Sequence, residues 1–262
     1  MSYEIVVADP AKNITILVLN AVENRGEAAK VLLADPSWGA EQVGFVVPPK
    51  DPAGIWRLEM MGGEFCGNAA RSFGLFVARL QGLSGNQTVT IGISGMPEPL
   101  SVAVDLEQGA AAVEIPKPVA QDTLDFDGQS LPVYRFDGIT QVIAPDMPPG
   151  KDVFYGIKRK FEAGQTAPDA LGVMFYDKAS RLMTPAVYVY GTDSLVFESS
   201  CGSGSAALAA WETRDGYEGE YHCPVAQPGG IIAVRVRKQT GKITDITIGG
   251  PVTLSERRYV WD

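Results

Sequence analysis

The sequence predicts an α/β (α+β) protein of two pseudo-symmetric halves, each a curved, mostly antiparallel sheet wrapped round a central helix. Two observations carry that prediction. Each half opens on strand-like apolar runs, passes through a Cys-Gly sequence that starts a helix, and returns to alternating strands. The two Cys-Gly stretches also match one another: Met60-Met61-Gly62-Gly63-Glu64-Phe65-Cys66-Gly67-Asn68-Ala69-Ala70-Arg71 and Leu195-Val196-Phe197-Glu198-Ser199-Ser200-Cys201-Gly202-Ser203-Gly204-Ser205-Ala206-Ala207. Both read Cys-Gly-polar-small and continue into helix formers.

In the first half the runs 13–19 and 44–47 read as strands, and 88–93 and 100–104 as the return. Between them Ala69, Phe73, Phe76, Val77 and Leu80 recur at helical spacing on one apolar face, and Gly82 stops the helix. In the second half, 135–143 and 173–176 read as strands, 202–213 as an alanine-rich helix, and 231–236 and 243–248 as the returning strands. Pro116 and Pro118 break any helix and mark a boundary, and a turn-rich stretch follows over 122–128. The domains are expected at 1–117 and 118–250, with 251–262 crossing back onto the first.

Composition bounds the function. The chain has 262 residues, 45% hydrophobic and 20% charged, as in an ordinary soluble globular protein. A net charge of −9 argues against a nucleic-acid or anionic-membrane partner. The start lacks the basic and apolar regions of a signal peptide, and the apolar run 14–19 is far too short to span a bilayer. Three cysteines do not make a disulfide framework, so the expected compartment is reducing, the cytoplasm. One histidine, His222, cannot build a His-based metal site and reads, like Cys223, as structural or surface.

A cysteine at a helix N-terminus has its thiolate favoured by free N–H groups and the positive end of the dipole, which lowers a reference pKa of about 8.5 toward the working pH. Two such thiols, one per half and facing across a cleft, suit removal of a proton from one face of a carbon acid and delivery to the other. The free N–H groups would neutralise a carboxylate as it gains enolate character. Asn68 and Ser203 add side-chain donors.

At these residues the chain resembles the diaminopimelate epimerase-like, cofactor-independent amino-acid racemases, almost end to end. The resemblance extends to Asn13-Ile14-Thr15-Ile16-Leu17-Val18 and Glu41-Gln42-Val43-Gly44-Phe45, where the family places a substrate-binding asparagine and glutamine. It implies catalysis by Cys66 and Cys201 and substrate contacts from Asn13, Gln42, Gly67, Asn68, Gly202 and Ser203, with no cofactor and no metal. The implied partner is a small amino-acid substrate, with no nucleic acid and no membrane; a homodimer is compatible with the sequence.

The departures narrow the substrate. Diaminopimelate epimerases carry Glu-Arg before the second cysteine, whereas this chain has Tyr190-Gly191-Thr192-Asp193-Ser194, and the family's second-half asparagine is missing near Gly172-Val173-Met174. The pattern is closer to the histidine racemases of opine-metallophore biosynthesis, through residues 41–45, 64–69, 200–204 and the Gln-Pro-Gly-Gly at 227–230. Glu41 or Asp193 is a candidate to meet an imidazole. Arg71, placed on the outer helix face, reads as a salt-bridge or snorkelling residue.

Alternatives stay open among relatives: diaminopimelate epimerase, or a proline or hydroxyproline racemase, although those carry Cys-Gly-His where Asn68 stands. Outside the class, a thiol-redox protein lacks its Cys-x-x-Cys. A dinucleotide-binding protein would use Gly202-Ser203-Gly204-Ser205-Ala206-Ala207, but 216–224 reads as turns where a second strand with an acidic end is needed.

Overall fold

The computed structural model describes residues 2–51 and 53–261. The chain forms two compact units, Met1–Glu114 with Gly249–Asp262, and Ile115–Ile248.

The first unit contains β1 (Ser2–Asp9), β2 (Thr15–Val18), α1 (Arg25–Ala34), β3 (Gln42–Val47), β4 (Trp56–Met60), α2 (Gly67–Leu80), β5 (Asn86–Ile93), β6 (Leu100–Asp105) and β7 (Ala110–Ile115). Strand β1 pairs antiparallel with β2, β2 parallel with β3 across α1, and β3 antiparallel with β4. Strand β4 then pairs parallel with β5 across α2, and β5, β6 and β7 continue antiparallel. Helix α1 is started by Asn24, whose side chain accepts from the Glu27 N–H. It packs Ala28, Ala29 and Leu32 against Ile5, Ile16, Val43 and Phe45.

The second unit repeats this string. It contains β8 (Ala120–Phe126), β9 (Gln129–Arg135), β10 (Ile139–Pro145), α3 (Lys151–Glu162), β11 (Ala170–Asp177), β12 (Leu182–Val189), β13 (Ser194–Phe197), α4 (Gly202–Glu212), β14 (Gly219–Gln227), β15 (Gly230–Gln239) and all but the last three residues of β16 (Lys242–Pro251). Strands β9 and β10 are antiparallel, β10 and β11 parallel across α3, and β11 and β12 antiparallel. Strands β12 and β14 are parallel across α4, and β14 pairs antiparallel with β15. Helix α3 places Phe154, Ile157 and Phe161 at helical spacing into a core with Val142, Leu171 and Phe175.

In each unit one helix is enclosed rather than amphipathic. Every residue of α2 from Asn68 to Ala78 is buried, against β4, β5 and β6. Every residue of α4 from Gly204 to Ala210 is buried, against β10, β11, β14 and β15. In α4 small side chains let the strands approach on all sides, whereas α2 also buries Arg71, Phe73, Leu75 and Phe76. The single apolar face expected for α2 is therefore only part of its buried surface, and its last member, Leu80, is 37% exposed.

The division of the chain falls at 114/115 and 248/249 rather than at 117/118 and 250/251. Lys117 donates to the Thr244 carbonyl and so belongs with the second unit. Gly249 lies against Ala112, and Arg71 holds the carbonyls of Gly250 and Pro251, so those residues belong with the first. The remaining strands, β17 (Thr253–Leu254) and β18 (Arg258–Trp261), pair antiparallel with β1.

Three local expectations are corrected. Residues 122–126 lie in β8, whose hairpin to β9 turns at Asp127 and Gly128, both at positive φ. Residues 216–224 enter β14, where polar outward residues mask the alternation that buries Cys223, Val225 and Gln227. The run 135–143 joins the last residue of β9 to the first five of β10 through a break that includes Gly138 at φ 77°. No helix among the described residues is long and apolar enough to cross a membrane.

Candidate active site

Two thiols, one in each unit, stand at the N-termini of the enclosed helices. Cys66 is the N-cap of α2, and its sulfur accepts from the Ala69 N–H at 3.5 Å. The approach to it is pinned by Ser94, whose Oγ accepts from Met60 N–H and donates to the Glu64 carbonyl. Gly95 follows at φ 73°, where a Cβ would lie 2.4 Å from the Phe65 nitrogen. Only glycine fits both the left-handed backbone and this close approach.

Around the thiol is a buried amide cluster. Gln42, from β3, directs Nε2 at Asn13 Oδ1 (3.0 Å), Thr15 Oγ1 (3.0 Å) and Cys66 Sγ (3.3 Å). Asn68 Nδ2 donates to the same Asn13 oxygen at 3.3 Å. Asn13 in turn donates to Glu41 Oε2 at 2.5 Å. The structure thus brings together Asn13, Gln42, Cys66 and Asn68, with Gly67 half-buried in the first turn of α2.

Arg71 is corrected from an outer-face residue to a fully buried one. Its Nε donates to Asn68 Oδ1 at 3.1 Å, and Nη1 donates to the Gly250 and Pro251 carbonyls at 2.9 and 3.1 Å. Burial pushes its pKa down to about 10, against the opposing charges of Cys66 and Asp9. Because Asn68 Oδ1 is held by Arg71, its Nδ2 is turned toward Asn13. Asn68 therefore links Arg71 to the amide cluster around Cys66.

In the second unit Cys201 is the N-cap of α4 and is 7% exposed. Gln227, at the end of β14, clamps its backbone: Oε1 accepts from Cys201 N–H at 2.8 Å, and Nε2 donates to Ser205 Oγ, which donates to the Cys201 carbonyl. Ser203 Oγ lies 3.6 Å from the sulfur. Gln141, from β10, donates from Nε2 to Ser203 Oγ at 3.0 Å and points the same nitrogen at Cys201 Sγ, 4.0 Å away. Gly202 is half-buried in the first turn, close to Ile248.

The helix terminus was expected to lower this thiol's pKa; instead it is raised. Burial is the largest cause and the Glu198 carboxylate the next, while the Gly204 N–H and the Ser203 hydroxyl pull the other way. Desolvation of a thiolate outweighs one turn of helix when the sulfur is enclosed.

Of the other candidates, Glu41 accepts from Asn13 in the cluster around Cys66, whereas Asp193 is exposed in a left-handed turn and accepts from the Tyr188 hydroxyl. His222 is an exposed residue of β14 beside Glu220. Cys66, Cys201 and Cys223 are not joined in disulfides. Sequence reasoning missed Gln141, Arg71 and the role of Gln227. For Gln227 the signal was present, as the first residue of the Gln-Pro-Gly-Gly run; for the other two it lay in strand register and helix enclosure. A hollow of about 320 Å³ lined by Lys117, Arg214, Lys238 and Lys242 lies away from Cys201, where Lys238 caps the far end of α4 by donating to the Thr213 and Arg214 carbonyls. The helix that opens on Gly202-Ser203-Gly204 does lead to a strand, β14, but that strand ends in Gln227 rather than an acid.

The chain is similar in fold to a phenazine biosynthesis PhzF-family protein from Bacillus anthracis, with a TM-score of 0.70 over 100% of both chains at 15% identity. It is also similar to a hydroxyproline epimerase from Agrobacterium vitis, with a TM-score of 0.66 at 12% identity over 99% of this chain and 92% of that one. In sequence it is 31% identical over 258 residues to a histidine racemase of Fusobacterium nucleatum, covering 94% of this chain and 92% of that protein. A histidine racemase of Staphylococcus aureus is 27% identical over 253 residues, 91% of this chain and 90% of the other. The family model described as histidine racemase CntK N-terminal domain matches residues 3–260, and the chain belongs to that family of isomerases.

Proposed function

We propose that this protein racemises histidine without a cofactor, Cys66 and Cys201 acting as a pair of acid–base groups. The single observation that carries the mechanism is the repetition of one build in both units: a thiol at the N-cap of an enclosed helix, with a glutamine Nε2 directed at its sulfur. One cysteine, as thiolate, takes the α-proton and becomes a thiol. The electron pair left on the carbon is delocalised into the carboxylate, which the N–H groups of a helix first turn neutralise. The other cysteine, starting as a thiol, delivers its proton to the opposite face and becomes the thiolate. In the reverse direction the two exchange roles.

Asn13, Gln42, Gly67, Asn68, Gly202 and Ser203 form the proposed substrate contacts. Glu41, held by Asn13, is the carboxylate suited to an imidazole ring. The histidine racemases of the two relatives support the substrate. The cytoplasm is the compartment that keeps three thiols reduced.

NMR of α-proton exchange in D₂O, over single amino acids and diaminopimelate with no cofactor added, tests the reading. Exchange confined to histidine supports it in full, and exchange with another member retains the mechanism and replaces the substrate. Cys66→Ser and Cys201→Ser should each abolish net racemisation. Normal turnover by either variant would sink the two-base mechanism.

A further inference from the structure

The two half-sites differ in where their glutamine comes from. In the first unit Gln42 rises from β3, and the residue paired with it across the parallel β2–β3 ladder is Thr15, whose Oγ1 accepts from Gln42. In the second unit the glutamine rises from β10, the strand that corresponds to β2, and the residue paired with Gln141 across the parallel β10–β11 ladder is Gly172. A Cβ at Gly172 would fall 1.9 Å from Gln141 Oε1 and 2.8 Å from its Cδ. The glycine is what lets the amide lie across β11.

Gln141 is fully buried, and its Oε1 has no hydrogen-bond partner. Burying an unpaired acceptor is costly, so the side chain is retained for what its other end does. That end is directed at Ser203 Oγ and Cys201 Sγ. Glu198 is the charged group acting on this sulfur, and it opposes a thiolate there. An amide N–H aimed at the sulfur works in the opposite sense.

We propose that Gln141 is the positioning residue of the second thiol, doing for Cys201 what Gln42 does for Cys66, but supplied from the opposite strand of the parallel pair and admitted by Gly172. The missing second-half asparagine near Gly172 is then no gap: its space is filled from β10. The inference deepens the two-base reading and rests on it where turnover is the readout.

Carboxamidomethylation by iodoacetamide, followed peptide by peptide at fixed pH, tests it without turnover. In Gln141→Thr the rate at Cys201 should fall about tenfold, as expected for a lost donor to a thiolate, while Cys66 is unchanged. Looser packing alone would expose the sulfur and speed the reaction, so an unchanged or faster rate overturns the proposal. Gln141→Glu keeps the volume and turns an acceptor toward the sulfur, so it should slow Cys201 further; it serves if the threonine variant does not fold. In turnover, Gln141→Thr should lower kcat at least tenfold, and the double variant Gln141→Thr/Gly172→Gln, which rebuilds the Thr15–Gln42 arrangement, should recover most of that loss. A double variant no better than Gln141→Thr overturns the strand exchange. If the wild-type chain exchanges no amino-acid α-proton, the racemase reading falls while the alkylation rates still decide the role of Gln141.

Discussion

Replacing Arg71 with methionine removes a cation that ties helix α2 to a segment almost 180 residues away in sequence. Three oxygens lose a donor: Asn68 Oδ1 and the carbonyls of Gly250 and Pro251. Hydrogen bonds to a charged group contribute about 1.5–3 kcal/mol each, so the gross loss is roughly 5–9 kcal/mol. Against it stands relief from burying the guanidinium: its depression from 12.5 to about 10 corresponds to roughly 3 kcal/mol. The net expectation for Arg71→Met is a loss of about 2–6 kcal/mol, in line with breaking other buried charged networks. Urea unfolding followed by circular dichroism measures it. A variant within about 1 kcal/mol of wild type would refute the reasoning, because it would mean that those oxygens find other donors. The same variant frees the Asn68 amide, so any activity left should show a higher KM.

Two further predictions concern single atoms. Gly95→Ala puts a Cβ on a left-handed backbone 2.4 Å from the Phe65 nitrogen; the expected loss is about 2–4 kcal/mol, with the approach to Cys66 displaced. A melt equal to wild type would contradict it. The raised thiol of Cys201 gives a pH dependence with a definite sign. In the unfolded chain this thiol ionises near its ordinary 9.0, while in the folded chain it holds its proton to higher pH. Above about pH 9 the unfolded state therefore binds fewer protons, and stability falls as pH rises. Cys223, raised chiefly by burial, adds to the same slope. Urea midpoints between pH 8 and 10 should decline less steeply in Cys201→Ala; an identical slope would count against a buried, protonated thiol.

The repeated order of strands and helix was legible because it is written locally: apolar runs, two Cys-Gly helix starts, and proline and glycine punctuation. Helix α3 is legible too, through Phe154, Ile157 and Phe161 at helical spacing, whereas α1 buries only Ala28, Ala29 and Leu32 and offers a weaker pattern. Strands β8 and β14 were read as turns because their outward faces are polar and only alternate residues reach the core.

By itself the sequence determined which side chains could do proton chemistry and where each helix begins, since a cysteine before a glycine and a run of small residues acts on its own next turn. Tertiary structure alone decided what surrounds those thiols. Gln141 meets Cys201 because β10 and β11 pair in one register, and Arg71 meets Asn68 and Gly250 because α2 is enclosed on every side. Register and enclosure come from contacts between residues far apart in the chain. The same enclosure turned the Cys201 pKa upward, since desolvation depends on everything packed around the sulfur and not on the residues next to it.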